Sequence, residues 1–296
     1  MSQAETWTIG RLLAWTTDYL KEHGSGSPRL DAEVLLAHAR RCKRIDLYTA
    51  FDQPADDATR AAFRELVSRR AKAEPVAYLV GRREFFSLSF RVTRDVLIPR
   101  PETETLVVRL IDLAKGLATA DPYPRIADVG TGSGIIAISA AVHLPSWEVF
   151  GFDSSAEALK VASQNAVDHG VITRAYFLHS DLLVTTPPIP PDRKFRIIAS
   201  NPPYVSESEL ARLPPDVRDF EPRQALVSGP RGTEVIERLV SQAAQRLVPG
   251  GWLLIEVSPM IEAAARELLA KHGEYELGPT IKDHAGQPRV LQAKRC

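Results

Sequence analysis

Cysteine is nearly absent: Cys42 and Cys296 lie at opposite ends of the 296-residue chain, with no paired spacing. That excludes a disulfide framework, a cysteine-based zinc site and a Cys-x-x-Cys redox motif, and a cytoplasmic protein is expected. No stretch of about 18 apolar residues occurs, so no helical membrane span is expected either. The opening residues include Glu5, Trp7 and Arg11 and lack the apolar core of a secretory signal. Neither charge is in excess, with 37 Lys and Arg against 37 Asp and Glu. Binding dominated by phosphate neutralisation needs such an excess, so direct contact with nucleic acid is not expected. The basic runs 40–44 and 68–72 read as solvated helix faces. His23 and His38 read as surface or packing residues without a partner at metal-ligand spacing, and no metal is expected.

What is present falls into three parts. Residues 1–78 have helical periodicity: Ile9, Leu12, Leu13, Thr16 and Leu20 predict a first helix ending at Gly24-Ser25-Gly26. A second helix is expected from Pro28 to Arg41, with Leu30, Val34, Leu35 and His38 on one side. A third runs from Asp57 to Ala73, with Phe63, Leu66 and Val67 inward. Residues 79–98 alternate as strands do, through Phe85–Val92 and again at Val96-Leu97-Ile98, and read as a β-hairpin linking two domains. From 99 to 296, strands at 125–129, 148–153, 175–180, 195–200 and 252–257 alternate with helices, and a final antiparallel pair lies near 275–277 and 289–293. That order implies an α/β domain with a mostly parallel sheet covered on both faces. Ser154 caps one helix in a Ser-Ser-Ala-Glu capping box, and Pro249-Gly250-Gly251 stops the helix before the strand at 252–257. Residues 185–191 read as a polyproline surface loop.

Two segments carry chemistry. Asp128-Val129-Gly130-Thr131-Gly132-Ser133-Gly134 follows the first strand and opens the first helix, where glycines admit a ligand to the backbone and helix N–H groups are unpaired. Many nucleotide-binding folds share this loop, and both NAD and S-adenosylmethionine fit it. Asp153, ending the second strand, suits a carboxylate accepting two ribose hydroxyls, or else a helix cap. Asp181, with Leu182 behind it, is placed to reach an adenine edge. The second segment is Asn201-Pro202-Pro203-Tyr204, directly after the apolar run 195–199. Strand ends are where open α/β sheets bind ligands. The Asn201 side-chain oxygen and the Pro202 carbonyl can each accept a hydrogen from one planar NH2 group, aiming its nitrogen lone pair. Tyr204 can pack on that group and favour a sulfonium. Hydride transfer wants a proton-handling side chain, which this neutral clamp lacks, whereas methyl transfer to nitrogen needs mainly alignment. Arg100, held between Pro99 and Pro101, reads either as a rigid substrate contact or as an ion pair with Glu102 or Glu104.

The chain resembles the bacterial release-factor glutamine methyltransferase family over nearly its whole length. The resemblance rests on Glu74–Leu79, Arg83–Phe86, the Ile98-Pro99-Arg100-Pro101-Glu102-Thr103-Glu104 run, Asp128–Gly134, Asn201–Tyr204 and Asp216–Pro222. It implies a class I S-adenosylmethionine-dependent methyltransferase fold behind an N-terminal helical bundle that recognises peptide chain release factors. The implied reaction moves a methyl from S-adenosylmethionine to the amide nitrogen of the glutamine in a Gly-Gly-Gln motif. Carried over by position, Gly130, Thr131, Gly132, Ser133, Gly134, Asp153, Leu182 and Asn201 contact the cofactor, and Asn201, Pro202 and Tyr204 hold the substrate glutamine. By their own placement rather than by the resemblance, Asp181 joins the cofactor side, and Pro203 and Arg100 the substrate side. Val257-Ser258, where a small residue is usual, and Leu182, often aromatic, depart from the pattern. A DNA or RNA adenine-N6 methyltransferase, similar at the tetrad, and a non-catalytic nucleotide-binding module are the alternative readings.

Overall fold

In the computed structural model, which describes residues 6–117, 124–185, 190 and 193–296, helix Ile9–Glu22 buries Ile9, Leu12, Leu13, Thr16 and Leu20 along one stripe. Thr8 caps its start by accepting the Arg11 N–H. Helix Pro28–Arg40 buries a face only partly the expected one: Leu35 is inward and Val34 half-buried as expected, joined by Ala32, Leu36 and Ala37, while Leu30 and His38 are exposed. The spacing admits both stripes, and neighbouring helices decide between them. The third helix, Asp57–Arg70, buries Phe63, Leu66 and Val67. Two short helices, Arg44–Thr49 and Val76–Val80, were not expected; each is too short for periodicity to declare. The basic runs are not merely solvated. Arg44 pairs with buried Glu33 at 2.8 Å, Arg70 with Asp31 at 2.8 Å, and Arg69 with Glu74 at 2.8 Å. These helices belong to one compact unit, residues 1–82, which also takes in Pro214–Phe220; residues 83–213 and 221–296 form the other.

The second unit begins one residue into the hairpin of β1 (Arg82–Phe85) and β2 (Leu88–Arg91). Where one alternating strand was expected, the chain reverses at Phe86 and Ser87, both at positive φ (50° and 60°). A two-residue hairpin demands that conformation even of non-glycine residues. Residues 96–98, expected as strand, are irregular. The remaining strands are β3 (Arg125–Val129), β4 (Glu148–Asp153), β5 (Ala175–Asp181), β6 (Val184–Thr185), β7 (Phe195–Ser200), β8 (Val205–Ser206), β9 (Val227–Gly229), β10 (Leu247–Glu256), β11 (Tyr275–Leu277), β12 (Ile281–Lys282) and β13 (Pro288–Arg295). The main sheet runs β11-β13-β10-β7-β3-β4-β5-β6, with β12 beside β13. Its centre is parallel, and β13 lies antiparallel to β10, β11 and β12. Pro249-Gly250-Gly251 sits inside β10, absorbed by a register shift between Leu247 and Trp252. The polyproline reading, over 185–191, falls mostly on residues 186–189 and 191, outside the described residues.

Alternation along the strands builds two cores. Ile126, Ile197, Ala199 and Leu254 face helix Glu104–Gly116, with its Leu106 and Leu110. Ala127, Val129, Ile198, Leu253 and Ile255 face helix Glu234–Arg246, with its Ile236, Leu239 and Ala243. Each fully buried leucine or isoleucine contributes about 1.5–3 kcal/mol. Period-two alternation has a second consequence: Asp128 falls on the face of Ile126, and Glu256 on the face of Leu254. Both carboxylates are thereby turned into an apolar layer.

Candidate active site

The carboxyl ends of β3, β4, β5 and β7 surround a cavity of about 310 Å³ within the second unit. Gly130, Thr131, Gly132, Ser133, Asp153, Asp181, Leu182, Asn201, Pro203 and Arg100 all line it. Gly134, Pro202 and Tyr204 are not among its lining residues. Gly134 serves packing: at φ +84°, a Cβ there meets the Ile138 side chain at 2.8 Å. Pro202 is buried, and Tyr204 packs on the core face that holds Ile255.

The glycine loop is held by its own backbone. Gly130 and Thr131 N–H both donate to the Phe152 carbonyl, at 2.8 and 2.9 Å, and Gly134 N–H donates to the Thr131 carbonyl at 2.8 Å. Gly132 N–H donates to Asp153 Oδ2 at 2.8 Å. Asp128 Oδ2 takes the Ala137 N–H at 3.1 Å and the Thr131 hydroxyl at 2.7 Å. A carboxylate thus occupies the helix N-terminus where a pyrophosphate would otherwise seat. Few loop N–H groups remain for phosphate, which argues against a dinucleotide. Gly132 is open where a Cβ would project, with nothing within 4 Å. This loop fits a nucleoside without phosphates; Asp128 beneath it is fully buried, and its Oδ1 has no partner among the described residues. Burial pushes the Asp128 carboxyl up to about 7 against the hydrogen bonds from Thr131 and Ala137, and the nearby Asp153 charge adds to the rise.

Asp153 is not the helix cap. Ser155 is, accepting the Ala158 N–H at 3.1 Å, and Ser154 instead accepts from Gln224 Nε2 at 2.5 Å. Asp153 Oδ1 accepts the Ser155 N–H at 2.9 Å. Both of its oxygens are thus oriented by one backbone donor each, leaving lone pairs toward the cavity. Leu182 adopts φ +55°, and Ser180 Oγ donates to its carbonyl at 2.7 Å. Gln242 accepts the Leu183 N–H at 2.8 Å, so the corner is pinned on both sides. Asp181 is exposed and paired with Arg238. Arg100 pairs with neither Glu102 nor Glu104; its partner is Glu221, at 2.5 Å. Glu221 also accepts the Ile98 N–H at 3.2 Å, tying the proline-flanked run to Pro222 on the cavity wall.

At the clamp, Ser200 Oγ donates to the Val129 carbonyl at 2.6 Å and fixes the end of β7. Asn201 Nδ2 donates to Thr103 Oγ1 at 3.3 Å. Its Oδ1 has no partner among the described residues. Gly232, at φ +82°, lets the chain pass the tetrad: a Cβ there would lie 2.7 Å from the Tyr204 carbonyl oxygen. Burial raises the Tyr204 phenol to about 12, with the Glu256 charge adding to it, so the ring stays neutral. Sequence reasoning gave no role to Thr103, Asn165, Gln224, Gln242 or Glu256. Asn165 Nδ2 donates to the Ser133 carbonyl at 2.9 Å and to the Arg91 carbonyl at 3.1 Å, joining loop to hairpin. An Asn on the buried stripe of helix Ala156–Asp168 is the one signal that pointed to it.

Comparison with known proteins agrees with this geometry. Residues 11–81 match the PrmC N-terminal domain family and residues 112–213 the methyltransferase small domain family. The release factor glutamine methyltransferase of Rhodopirellula baltica is 50% identical over 290 residues, covering 98% of this chain and 97% of the relative. That of Geobacter sulfurreducens is 41% identical, covering 86% and 85%. Among solved structures, the hMettl16 catalytic domain in complex with MAT2A 3'UTR hairpin 6 shares the fold at 17% identity, with a TM-score of 0.56 over 77% of this chain and 81% of that one. No described helix is long and apolar enough to cross a membrane. The chain belongs to the release factor glutamine methyltransferase family, and S-adenosylmethionine is its methyl donor.

Proposed function

We propose that Asn201 Oδ1 and the Pro202 carbonyl grip the two hydrogens of a release-factor glutamine amide, within its Gly-Gly-Gln motif, so that the nitrogen lone pair faces the cavity. The single observation behind this reading is the Asn201–Thr103 hydrogen bond: with Nδ2 committed to Thr103, Oδ1 is left as an acceptor. When bound, the donor supplies an activated sulfonium methyl, and alignment is what the protein adds. Asp153 holds the ribose hydroxyls. Gly130, Thr131, Gly132 and Ser133 line the donor's side, and Asp181 and Leu182 wall the base. Tyr204, kept neutral, packs against the amide and takes no proton; the methylated nitrogen gives its proton to water.

Arg100 shapes the entrance through Glu221 and contacts substrate only with its remaining donors. The helical residues 1–78 recognise the release factor, with residues 79–98 connecting them to a catalytic part spanning 99–296. Balanced charge supports a protein substrate with no direct nucleic-acid contact, and unpaired Cys42 and Cys296 support a cytoplasmic location. The test is incubation with labelled methyl donor and three acceptors: a release factor, its Gln→Ala variant and duplex DNA. Label in the first alone is expected; label in DNA, or equal label in the variant, overturns the reading.

A further inference from the structure

Asn165 lies on the buried stripe of helix Ala156–Asp168 with none of its surface exposed. Asn is a poor helix former, and out of reach of water it must spend its amide on the protein. It does so completely. Its Oδ1 accepts the Arg91 N–H at 2.8 Å, while Nδ2 donates to the Arg91 carbonyl at 3.1 Å and to the Ser133 carbonyl at 2.9 Å. Asp168 and His169, at the end of the same helix, already hold β2. The first pairs with Arg91 at 2.6 Å, and the second donates from Nε2 to the Ser89 carbonyl at 3.0 Å. What Asn165 adds is the bond to Ser133.

The Ser133 carbonyl needs that partner because its helical one is taken. In a regular helix the Ala137 N–H would close a turn on the carbonyl four residues back, that of Ser133. Here it donates to Asp128 Oδ2 at 3.1 Å, and the first intrahelical bond runs from the Ile138 N–H to the Gly134 carbonyl at 2.8 Å. Asp128 removes the donor, and Asn165 answers the acceptor left behind. The helix therefore stops short, and Gly130, Thr131, Gly132 and Ser133 remain in the cavity wall. Gly134 permits the close approach: a Cβ there would lie 3.2 Å from that of Ala162, which shares a helix face with Asn165 three residues on.

We propose that Asn165 is a positioning residue for the methyl donor, holding the loop of residues 130–133 out of the helix and in the shape that receives it; this rests on the donor placement given above. Without Nδ2, the Ser133 carbonyl captures the Ala137 N–H rather than stay unpaired in the interior. The helix winds back into the loop, and Ser133 and Gly132 withdraw from the wall. The donor must then unwind that turn before it binds. Affinity falls, while the filled site keeps most of its speed. The tie to Arg91 extends the effect, since residues 95–97, 99 and 100 follow β2 and line the same cavity. Their far end is fixed by Glu221, which accepts the Ile98 N–H. Donor binding thus firms the hydrogen bonds of Arg91, although Arg91 is not among the lining residues.

The experiment is calorimetric titration of S-adenosylmethionine into wild type, Asn165→Leu and Asn165→Ala, beside single-turnover methylation of a release factor at saturating donor. Leucine keeps the volume and loses all three hydrogen bonds. Both variants should bind the donor about tenfold or more weakly, as expected when a buried carbonyl loses its partner. Their saturated rates should stay within about threefold of wild type. Wild-type affinity in Asn165→Leu, or a saturated rate that falls as far as the affinity, overturns the assignment. If both variants fold poorly, wild type alone decides. Donor binding should slow amide hydrogen exchange at Arg91 more than in β11, a strand of the same unit outside the cavity, and equal slowing overturns the assignment. Gly132→Val, whose side chain enters open space at the loop, separates the two readings. Normal donor affinity in it overturns the donor placement and this inference with it. Weakened binding in Gly132→Val beside wild-type affinity in both Asn165 variants overturns the role of Asn165 alone.

Discussion

Glu33 in the helical unit and Glu256 in the catalytic unit are equally removed from water, at 3% and 2% exposure, but their surroundings treat charge in opposite ways. Around Glu33, burial is outweighed by hydrogen bonds from Tyr48, Arg44 and Arg29, which hold its carboxyl below the ordinary range. Around Glu256 no cation pairs with the carboxyl among the described residues, its Oε2 is orphaned, and burial pushes the group up to about 7. Asp128 behaves like Glu256, with Oδ1 orphaned and the group raised to about 7. Where donors surround a buried acid, it holds a fold together. Where they are withheld, the acid is costly, and its cost marks the region that does chemistry.

The sharpest way to test that division is at the clamp. Asn201→Ala should cut turnover by roughly 10²–10³ while leaving donor affinity and melting temperature near wild type. Rapid-quench methylation with parallel donor titration measures both, and an unchanged rate removes Asn201 from the reaction. Next in size, Asp153→Ala should weaken the donor by roughly tenfold, the loss of a hydrogen-bonded charged acceptor, and slow the methyl step less. Isothermal titration reads the affinity, and normal binding would reduce Asp153 to a brace for Gly132 and Ser155.

On the structural side, Glu33→Gln should destabilise the helical unit by about 2 kcal/mol, because Arg29 and Arg44 lose a charged partner while staying half in water. Urea denaturation reads this, and methylation per folded molecule should not change. Acid should mimic it: a carboxyl lowered by folding stabilises above its unfolded value of about 4.5, and that stabilisation is lost as pH falls below it.

The smallest effect has the opposite sign. The folded state keeps a proton on Asp128 that the unfolded chain releases, so stability falls as pH rises from about 4 to about 7 and stays low above. Asp128→Asn should therefore melt a few degrees higher than wild type at pH 8 and equally at low pH, where both are neutral. Equal melting at pH 8, followed by calorimetry, would mean that Asp128 is satisfied in a way its two hydrogen bonds do not reveal.

What was legible in the sequence was local. Strands Glu148–Asp153 and Phe195–Ser200 are apolar runs bounded by turn-forming residues, and both lie where that pattern predicts. The cavity-lining loop and the tetrad were readable for the same reason. Reading failed where distant residues decide. Arg100 has acidic neighbours two and four positions on, yet its partner lies 121 residues away, at Glu221. Leu30 and Leu36 fit equally good stripes until a neighbouring helix selects one. Pro249-Gly250-Gly251 resembles a break, but a paired sheet absorbs it as a bulge. Phe86 and Ser87 adopt a conformation that their residue types do not advertise. The contact between Asn201 and Thr103 joins residues 98 positions apart and leaves no motif.

Gly232 sets a limit on how this enzyme can be altered. Any side chain there would strike the carbonyl oxygen of Tyr204, 2.7 Å from the place a Cβ would occupy, and its φ of +82° already disfavours one. Saturation mutagenesis at this codon should return glycine alone among active clones. The entry to helix Glu234–Arg246 and the tail of the tetrad would then drift together or not at all, and engineers seeking a wider acceptor range would do better to redesign both segments as one piece.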